Sequence, residues 1–262
     1  MLSAFARIIY WGHVLESLIQ AADAIGVQVD DATTERFRRY RQLLIEWGSH
    51  TNLTAIKDPE AIIEQLFIRS FRIAVQAGGS VTTAGWFDGR RIIDIGSGAG
   101  IPGLPLKLIL PEADVTLLEA NRKKCDFMDH VVADLGLDGI HVINERAEIA
   151  AHFANHRESY DLATARVVAK LPVLAEYTLP FLKQGGVAVL PKGPDTQAVQ
   201  TEADDAAYAA DEMGAAPAII QAVAHPGTSP TDHMVYWLKI RPTSDRYPRR
   251  VGIPSKRPLA VA

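Results

Sequence analysis

The chain has 262 residues, of which 48% are hydrophobic and 22% are charged, and its formal net charge is −4. These values are typical of an ordinary soluble globule with a sizeable core, in one large domain or a domain with an added subdomain. The single cysteine, Cys125, excludes an intrachain disulfide and a cysteine-rich metal site. The net acidity argues weakly against a nucleic-acid partner, although the placement of charge matters more than its sum.

The N-terminal 20 residues are apolar but are interrupted by Arg7, His13 and Glu16. No apolar stretch long enough to cross a membrane follows them. With one basic residue and no small-residue cleavage pattern, they are a poor match to a secretory signal peptide. We expect them to form a helix that packs on a cytoplasmic protein without a membrane partner.

Two amphipathic helices are predicted next. The first covers residues 33–48, with Thr33 or Thr34 as its N-cap and a glycine as its stop. The second covers about residues 59–75 and has a proline in its first turn. Together they predict an N-terminal helical region, residues 1–85, packed on the core.

Short apolar strands alternate with helices in the following region, residues 86–241. The predicted strands are, in chain order, 91–95, 114–119, 140–144, 160–166, 186–191, about 218–223 and 234–240. The most evident helices between them are 121–136 and about 171–182. This alternation predicts an α/β fold with a doubly wound, seven-stranded, mostly parallel sheet. No helix separates the last two strands, so we expect them to pair antiparallel at the sheet edge.

The C-terminal residues 242–262 form a basic, proline-rich tail. Residues 239–262 hold seven Lys or Arg and one Asp, so the preceding part of the chain carries a net charge of about −10. Four prolines in the tail block helix and central strand. We therefore expect little regular structure there.

The stretch 91-RIIDIGSGAGIPGLPL-106 joins the first predicted strand to a glycine-rich turn. Gly96, Gly98 and Gly100 allow the backbone to turn sharply and to approach a ligand closely. In a doubly wound fold the ligand lies beside the end of the first strand. The dinucleotide fingerprint requires a glycine where Ile101 stands, which weakens a pyrophosphate-binding interpretation.

Glu119 ends the second predicted strand, 25 residues after Asp94. A carboxylate there accepts hydrogen bonds from ribose hydroxyls, in NAD proteins and in adenosine-type methyl donors alike. A sulfonium donor has no phosphates and needs no third glycine. These features predict a nucleoside-type ligand; the alternative is that the glycines form only a tight turn.

Several segments of the chain are more specific than a general glycine loop. They are DIGSGAGIPGLPL, LLEANRKKCDFM, NERAE, YDLATARVVAKLP and LPKG, and they are flanked by NLTAIKDPE and YPRRVGIPSKRPL. Over about residues 36–259 they resemble the RsmG (GidB) family of bacterial 16S ribosomal RNA methyltransferases. The resemblance implies a class I methyltransferase fold with S-adenosylmethionine as the donor. It also implies transfer to N7 of a guanine in the 530 loop, in 16S ribosomal RNA or the small ribosomal subunit. We expect a monomer.

The resemblance assigns donor contacts to Gly96, Ile101, Ala147, Glu148 and Arg166. Two further donor contacts, Gly98 and Glu119, are predicted from the glycine loop and the strand-end carboxylate. For Arg166 the alternative is a surface cation paired with Asp161 or Glu176, and for Glu148 it is an N-terminal helix charge. The chain departs from the family pattern where Leu66 and Arg69 replace a His and an Asp, and where Gly48 replaces an Asn.

Guanine N7 carries a lone pair and no proton, so its methylation requires positioning rather than a general base. We therefore assign no catalytic residue, with Arg166 as the one candidate for a base contact. Cys125 is expected to be a buried or half-buried thiol. His152 and His156 have the spacing of a metal pair, but a solvated helix face is favoured and no metal is expected.

A set of basic side chains could meet RNA phosphates, which would position the RNA without reading its sequence. They are Arg122, Lys123, Lys124, Lys192, Arg246, Arg249, Arg250, Lys256 and Arg257. The alternative is a solvated run of charge.

The sequence leaves three other functions open. The first is a methyltransferase that acts on a small molecule or a protein, which the net acidity slightly favours. The second is a nicotinamide oxidoreductase, which Ile101 disfavours. The third is a donor-binding RNA protein without activity, since N7 methylation has no signature base.

Overall fold

The computed structural model describes residues 16–23, 29–49, 51–77, 87–225 and 228–260. The expectations about a signal peptide and an initial helix fall on the first 20 residues, of which residues 1–15 lie outside the described residues and residues 16–20 are helical. The predicted boundary between residues 85 and 86 also lies outside the described residues.

The N-terminal region is helical where it is described. Its elements are α1 (residues 16–23), α2 (Asp31–Trp47), α3 (Pro59–Ala61), a π-helical stretch (Ile62–Ile68) and α4 (Arg69–Ala77). The prediction of Thr33 or Thr34 as the N-cap of α2 was wrong. Asp30 caps this helix instead, because its Oδ1 accepts a hydrogen bond from the Thr33 amide at 2.7 Å.

The described strands form a seven-stranded sheet in the order β3-β2-β1-β4-β5-β7-β6. Their bounds are β1 Arg91–Ile95, β2 Asp114–Glu119, β3 Ile140–Asn144, β4 Tyr160–Thr164, β5 Leu182–Lys192, β6 Ile219–His225 and β7 Thr228–Leu238. Strands β1 to β5 pair in parallel, whereas β7 pairs antiparallel with both β5 and β6. The predicted α/β architecture and the antiparallel edge are confirmed.

Helices cover both faces of the sheet. Those that follow β1 are α5 (Gly103–Ile109), α6 (Arg122–Leu135), α7 (Ala147–Ala150), α8 (Leu171–Thr178) with a 3₁₀ turn (Leu179–Phe181), α9 (Thr196–Glu212) and α10 (Ile253–Lys256). No helix among the described residues combines the length and apolar character that crossing a membrane requires.

Alternate residues of each central strand enter two separate cores. Ile92 packs with the N-terminal helices, α5 and α6, whereas Ile93 packs with α7, α8 and α9 on the other face. The N-terminal helices therefore share a core with the sheet. Tyr40 of α2 fixes their position over the ligand edge, because its hydroxyl donates to the Ala99 carbonyl in the glycine loop at 2.5 Å.

The described part of the C-terminal tail is irregular apart from the one-turn helix α10, and it is held on the body. Arg157 donates to the Thr243 carbonyl at 2.8 Å and to the Tyr247 carbonyl at 2.9 Å. Tyr247 is buried, and Arg249 forms an ion pair with the fully buried Glu176. Composition predicted the lack of regular structure, but it did not predict that side-chain hydrogen bonds to backbone would fix this segment.

Candidate active site

The site lies where the order of the strands reverses. β1 and β4 are neighbours, and the chain proceeds from β1 towards β3 on one side and from β4 towards β5 on the other. A crevice opens at the carboxyl ends of such a strand pair, and ligands of doubly wound sheets bind there. Gly96 follows β1 and Arg166 follows β4 at this crevice.

The glycine loop has a backbone shape that other residues could not adopt. Gly96 and Gly100 have φ of +68° and +85°. A Cβ at Gly96 would lie 2.8 Å from Val168 Cγ2, and one at Gly100 would lie 2.2 Å from Leu104 Cδ1. The loop is therefore packed tightly against both the next helix and the segment after β4.

Glu119 holds the loop from the end of β2. Its Oε2 accepts from the Gly98 amide at 3.0 Å, and its Oε1 accepts from the Asn121 amide at 2.8 Å. Asn144, at the end of β3, donates to the Glu119 carbonyl at 3.0 Å. Three strand ends thus meet at Glu119, and its carboxylate has acceptor capacity left for hydroxyl groups. Ile101 is half-buried and packs against the core beside this loop.

Asp94 lies fully buried beneath the glycine loop. Its Oδ2 accepts from the Gly103 amide at 2.9 Å, whereas its Oδ1 is buried without a hydrogen-bond partner within the described parts of the chain. Burial raises the pKa of this carboxyl to about 7, although the hydrogen bond from Gly103 opposes the shift. Such an acid is best satisfied by a cationic ligand group, and the α-ammonium of S-adenosylmethionine is one.

We expect donor affinity to rise with pH because of Asp94. Ionisation of a carboxyl with a pKa of about 7 should strengthen donor binding about tenfold between pH 5.5 and pH 7, below the titration range of an α-amino group. The raised pKa also affects stability, because the carboxyl of Asp94 ionises more easily in the unfolded chain than in the folded protein. The free energy of unfolding should therefore fall as pH rises from about 4 to about 7. Isothermal titration calorimetry checks the affinity. Asp94→Asn should bind weakly and independently of pH, and a flat profile in the unmodified protein would contradict the assignment.

Arg166 is a second buried group with unused capacity. Its Nη2 donates to the Gln65 carbonyl at 2.7 Å, whereas its Nη1 is buried and has no partner among the described residues. Burial lowers the pKa of this guanidinium, and the neighbouring Arg69 lowers it further. The structure does not show the alternative pairing, because Asp161 binds Arg90 and Lys183 and Glu176 binds Arg249. A ligand carboxylate or carbonyl would satisfy Nη1.

Glu148 points away from the crevice. This buried carboxylate accepts from Gly252 of the tail at 2.9 Å, from the Tyr177 hydroxyl at 3.1 Å and from Arg146 at 3.2 Å. Although burial raises its pKa, these hydrogen bonds hold the pKa below its usual range. Any donor contact at this position therefore involves the backbone of Ala147 and Glu148, while the side chain anchors the tail.

A cavity of about 370 Å³ adjoins the crevice and is bounded by the segments after β4 and β5, the middle of β7 and α4. Its polar lining comes mainly from Arg69, Arg166, Lys192 and Asp232. Val167, at its edge, has φ of +55° and is 95% exposed. A β-branched residue is strained in this region, and such strain concentrates at functional sites.

The basic residues expected to meet RNA divide into two groups. The first group is engaged in ion pairs: Arg122 with Asp126, Lys192 with Glu202, Arg246 with Glu212 and Arg249 with Glu176. The second group is exposed or half-buried: Lys123, Lys124, Arg250, Lys256 and Arg257. The second group is the better placed for phosphate contacts.

Cys125 and the two histidines have structural surroundings. Cys125 is buried, and burial raises the pKa of its thiol to about 11. His152 hydrogen-bonds to the Pro248 carbonyl and His156 to the Tyr160 hydroxyl. Both histidines follow α7 in turns, so the expectation of a solvated helix face was wrong. No three His, Cys, Asp or Glu side chains cluster as metal ligands in the described ranges.

Sequence reasoning missed Asp232, which no motif marks. Arg69 was recognised only as a departure from the family pattern. The structure brings the two together across the cavity, where Arg69 Nη1 lies 3.3 Å from Asp232 Oδ2. Only the fold could reveal this pair, since β7 and α4 are far apart in sequence.

Comparison with known proteins identifies the family. The model of the GidB family, rRNA small subunit methyltransferase G, matches residues 33–222. The chain is similar to the ribosomal RNA small subunit methyltransferase G of Roseiflexus castenholzii, with 40% identity over 94% of this chain and 100% of the relative. The corresponding protein of Dehalococcoides mccartyi is 37% identical over the same shares.

Among solved structures, M. jannaschii TYW2 in complex with AdoMet has a TM-score of 0.47 and 14% identity over 66% of this chain and 75% of that chain. The family match covers most of the chain and includes the glycine loop, Glu119 and Arg166. The chain therefore belongs to the rRNA small subunit methyltransferase G family.

Proposed function

We propose that this protein transfers the methyl group of S-adenosylmethionine to N7 of a guanine in the 530 loop of 16S ribosomal RNA. The observation that carries the proposal is the match of the family model to residues 33–222. This range contains the whole crevice at the ends of β1, β2 and β4.

The residues of the crevice fit the donor. Glu119 offers acceptor capacity to ribose hydroxyls, Asp94 offers a buried carboxylate to the ammonium, and Arg166 offers a buried donor to the carboxylate. Bound S-adenosylmethionine supplies an electrophilic methyl group on a sulfonium. Gly96 and Gly100 let the loop keep its shape at the crevice, because a Cβ at either position would clash with Val168 or Leu104.

The chain contributes orientation rather than proton transfer. N7 attacks through its lone pair, and N7 carries no proton for a base to remove, so the protein must align the base and exclude water. The walls of α4 and of the Arg166–Ala169 segment enclose the space beside the donor crevice. A site of this kind needs no paired acid and base.

The other candidate functions have less support. The relatives' printed names specify ribosomal RNA, which disfavours a small-molecule or protein substrate. A nicotinamide cofactor would present phosphates to a loop that has Ile101 in place of the third glycine. We further propose that the enzyme acts as a cytoplasmic monomer, with an N-terminal helical region at 1–85, a methyltransferase domain at 86–241 and a basic tail at 242–262.

The test is transfer of labelled methyl from S-adenosylmethionine to three acceptors: free small-subunit RNA, assembled small subunits and total soluble protein, all from cells that lack the gene. We expect label in RNA or in the RNA of subunits, and none in protein. The ratio between free RNA and subunits identifies the form that the enzyme recognises. Label in protein alone, or none despite donor binding, would reject the proposal.

A further inference from the structure

The cavity beside the donor crevice contains a fixed carboxylate. Asp232 is 13% exposed in its side chain, and Arg69 Nη1 lies 3.3 Å from its Oδ2. Arg72 and Arg166 are close enough for their guanidinium charges to interact with Asp232 as well. Each oxygen of this carboxylate can accept more than one hydrogen bond.

The backbone around Asp232 is also held firmly. The next residue, His233, is buried and hydrogen-bonds through Nδ1 to the Gly193 carbonyl at 2.9 Å and through Nε2 to Thr196 Oγ1 at 3.1 Å. These contacts join the middle of β7 to the segment after β5. The carboxylate therefore projects from rigid secondary structure at the cavity wall, as a specificity-determining group should.

We propose that this cavity receives the target guanine, and that Asp232 accepts hydrogen bonds from the N1–H and 2-amino groups of its Watson–Crick edge. The proposal rests on the proposed function and deepens it, because it names the group that selects the base. Both guanine groups are donors and a carboxylate is purely an acceptor, so the two edges are complementary.

The order of the strands supports this orientation of the base. The donor loop follows β1, and Asp232 lies in β7 opposite Val223 of β6, so β4 and β5 separate its strand from β1. Three strand spacings amount to about 14 Å. N7 belongs to the five-membered ring of guanine, whereas the N1–H and 2-amino groups belong to the six-membered ring. When Asp232 holds these two groups, N7 therefore stays free to meet the methyl group.

The same arrangement discriminates against adenine. Adenine carries a lone pair at N1 and no 2-amino group, so a carboxylate opposite it meets an acceptor and gains no hydrogen bond. Val167, exposed at the cavity edge, offers an apolar surface to the face of a base taken out of its stack.

The experiment compares guanine with inosine at the target position, because inosine lacks only the 2-amino group. Small subunits are reconstituted with ligated 16S RNA that carries either base, and kcat/KM is measured for the full-length enzyme. We expect the unmodified protein to prefer guanine by about 10- to 100-fold, the effect of one hydrogen bond to a charged group. A preference near unity would overturn the proposal without any variant.

Asp232→Asn tests the residue itself. We expect it to lose about 10- to 100-fold in kcat/KM on guanine and to prefer guanine over inosine by less than threefold. Asp204→Asn, at an exposed position of α9, is the matched control and should retain the full preference. If Asp232→Asn does not fold, Asp232→Glu replaces it, because this variant keeps the negative charge. Its preference for guanine over inosine should lie between that of the unmodified protein and unity.

The outcomes separate this inference from the proposed function. An unchanged guanine preference in the folded Asp232 variants would overturn the assignment of Asp232, even if their overall rate fell. If the unmodified protein does not methylate guanine subunits at all, the proposed function fails instead. Donor affinity, measured in parallel, should change much less than the guanine preference in Asp232→Asn, since this residue lines the cavity and acts on the donor crevice only through Arg166.

Discussion

Replacing Arg249 by alanine should destabilise the protein by about 3–5 kcal/mol. The Glu176 carboxylate is fully buried, and Arg249 donates to it from its amide at 3.0 Å and from Nε at 2.9 Å. Removing the guanidinium leaves a buried charge without its partner, which is among the most destabilising single changes. Urea unfolding followed by circular dichroism measures the change.

The matched control is Arg250→Ala, the neighbouring basic residue, which is exposed. We expect it to change the free energy of unfolding by less than about 0.5 kcal/mol. This pair of variants separates two interpretations of the tail. If Arg249→Ala were as stable as Arg250→Ala and only RNA affinity fell, Arg249 would be an RNA contact, as the sequence alone suggested.

Replacing Arg166 by glutamine should reduce kcat/KM for methyl transfer about 100-fold or more. Arg166 follows β4 at the crevice, and its buried Nη1 has no hydrogen-bond partner among the described residues. Two hydrogen bonds from a charged donor account for an effect of this size. Labelled-methyl transfer to small subunits and donor calorimetry should both show the loss.

Arg36→Gln is the control for the removal of one positive charge, since Arg36 is exposed on α2. It should retain full activity and donor affinity. Arg166→Lys should recover only part of the loss, because an ammonium cannot both reach the Gln65 carbonyl and supply a fork of donors. Normal transfer by Arg166→Gln would show that the residue only fastens β4 to the N-terminal helices.

Sequence patterns predicted the sheet well because each central strand is a short apolar run followed by a turn. Ile92 and Ile93 belong to opposite cores, and this double burial produces the continuous apolar pattern of a parallel sheet. The glycine loop was predictable for a similar reason, since positive φ at Gly96 and Gly100 restricts the residue type. These are local constraints, which sequence expresses directly.

Other features depend on contacts between distant residues and could not be predicted. The π-helical stretch Ile62–Ile68 has an ordinary helical sequence. The fixed tail depends on Arg157, about 90 residues earlier, which donates to the tail carbonyls. In the sequence, Arg69 is notable only as a departure from the family pattern. The fold shows that its Nη1 lies 3.3 Å from Asp232 Oδ2. Long-range pairs of this kind determine the cavity and leave no periodic signal.

The most direct test of the central claim is the position of the methyl group. Small subunits from cells that lack the gene are incubated with the enzyme and S-adenosylmethionine, and their RNA is then reduced and cleaved with aniline, which breaks the chain at N7-methylguanine. We predict one new cleavage, at a single guanine of the 530 loop, which disappears with Arg166→Gln. Cleavage elsewhere in the RNA, or a labelled base that resists cleavage, would contradict the assignment of N7 and of the site.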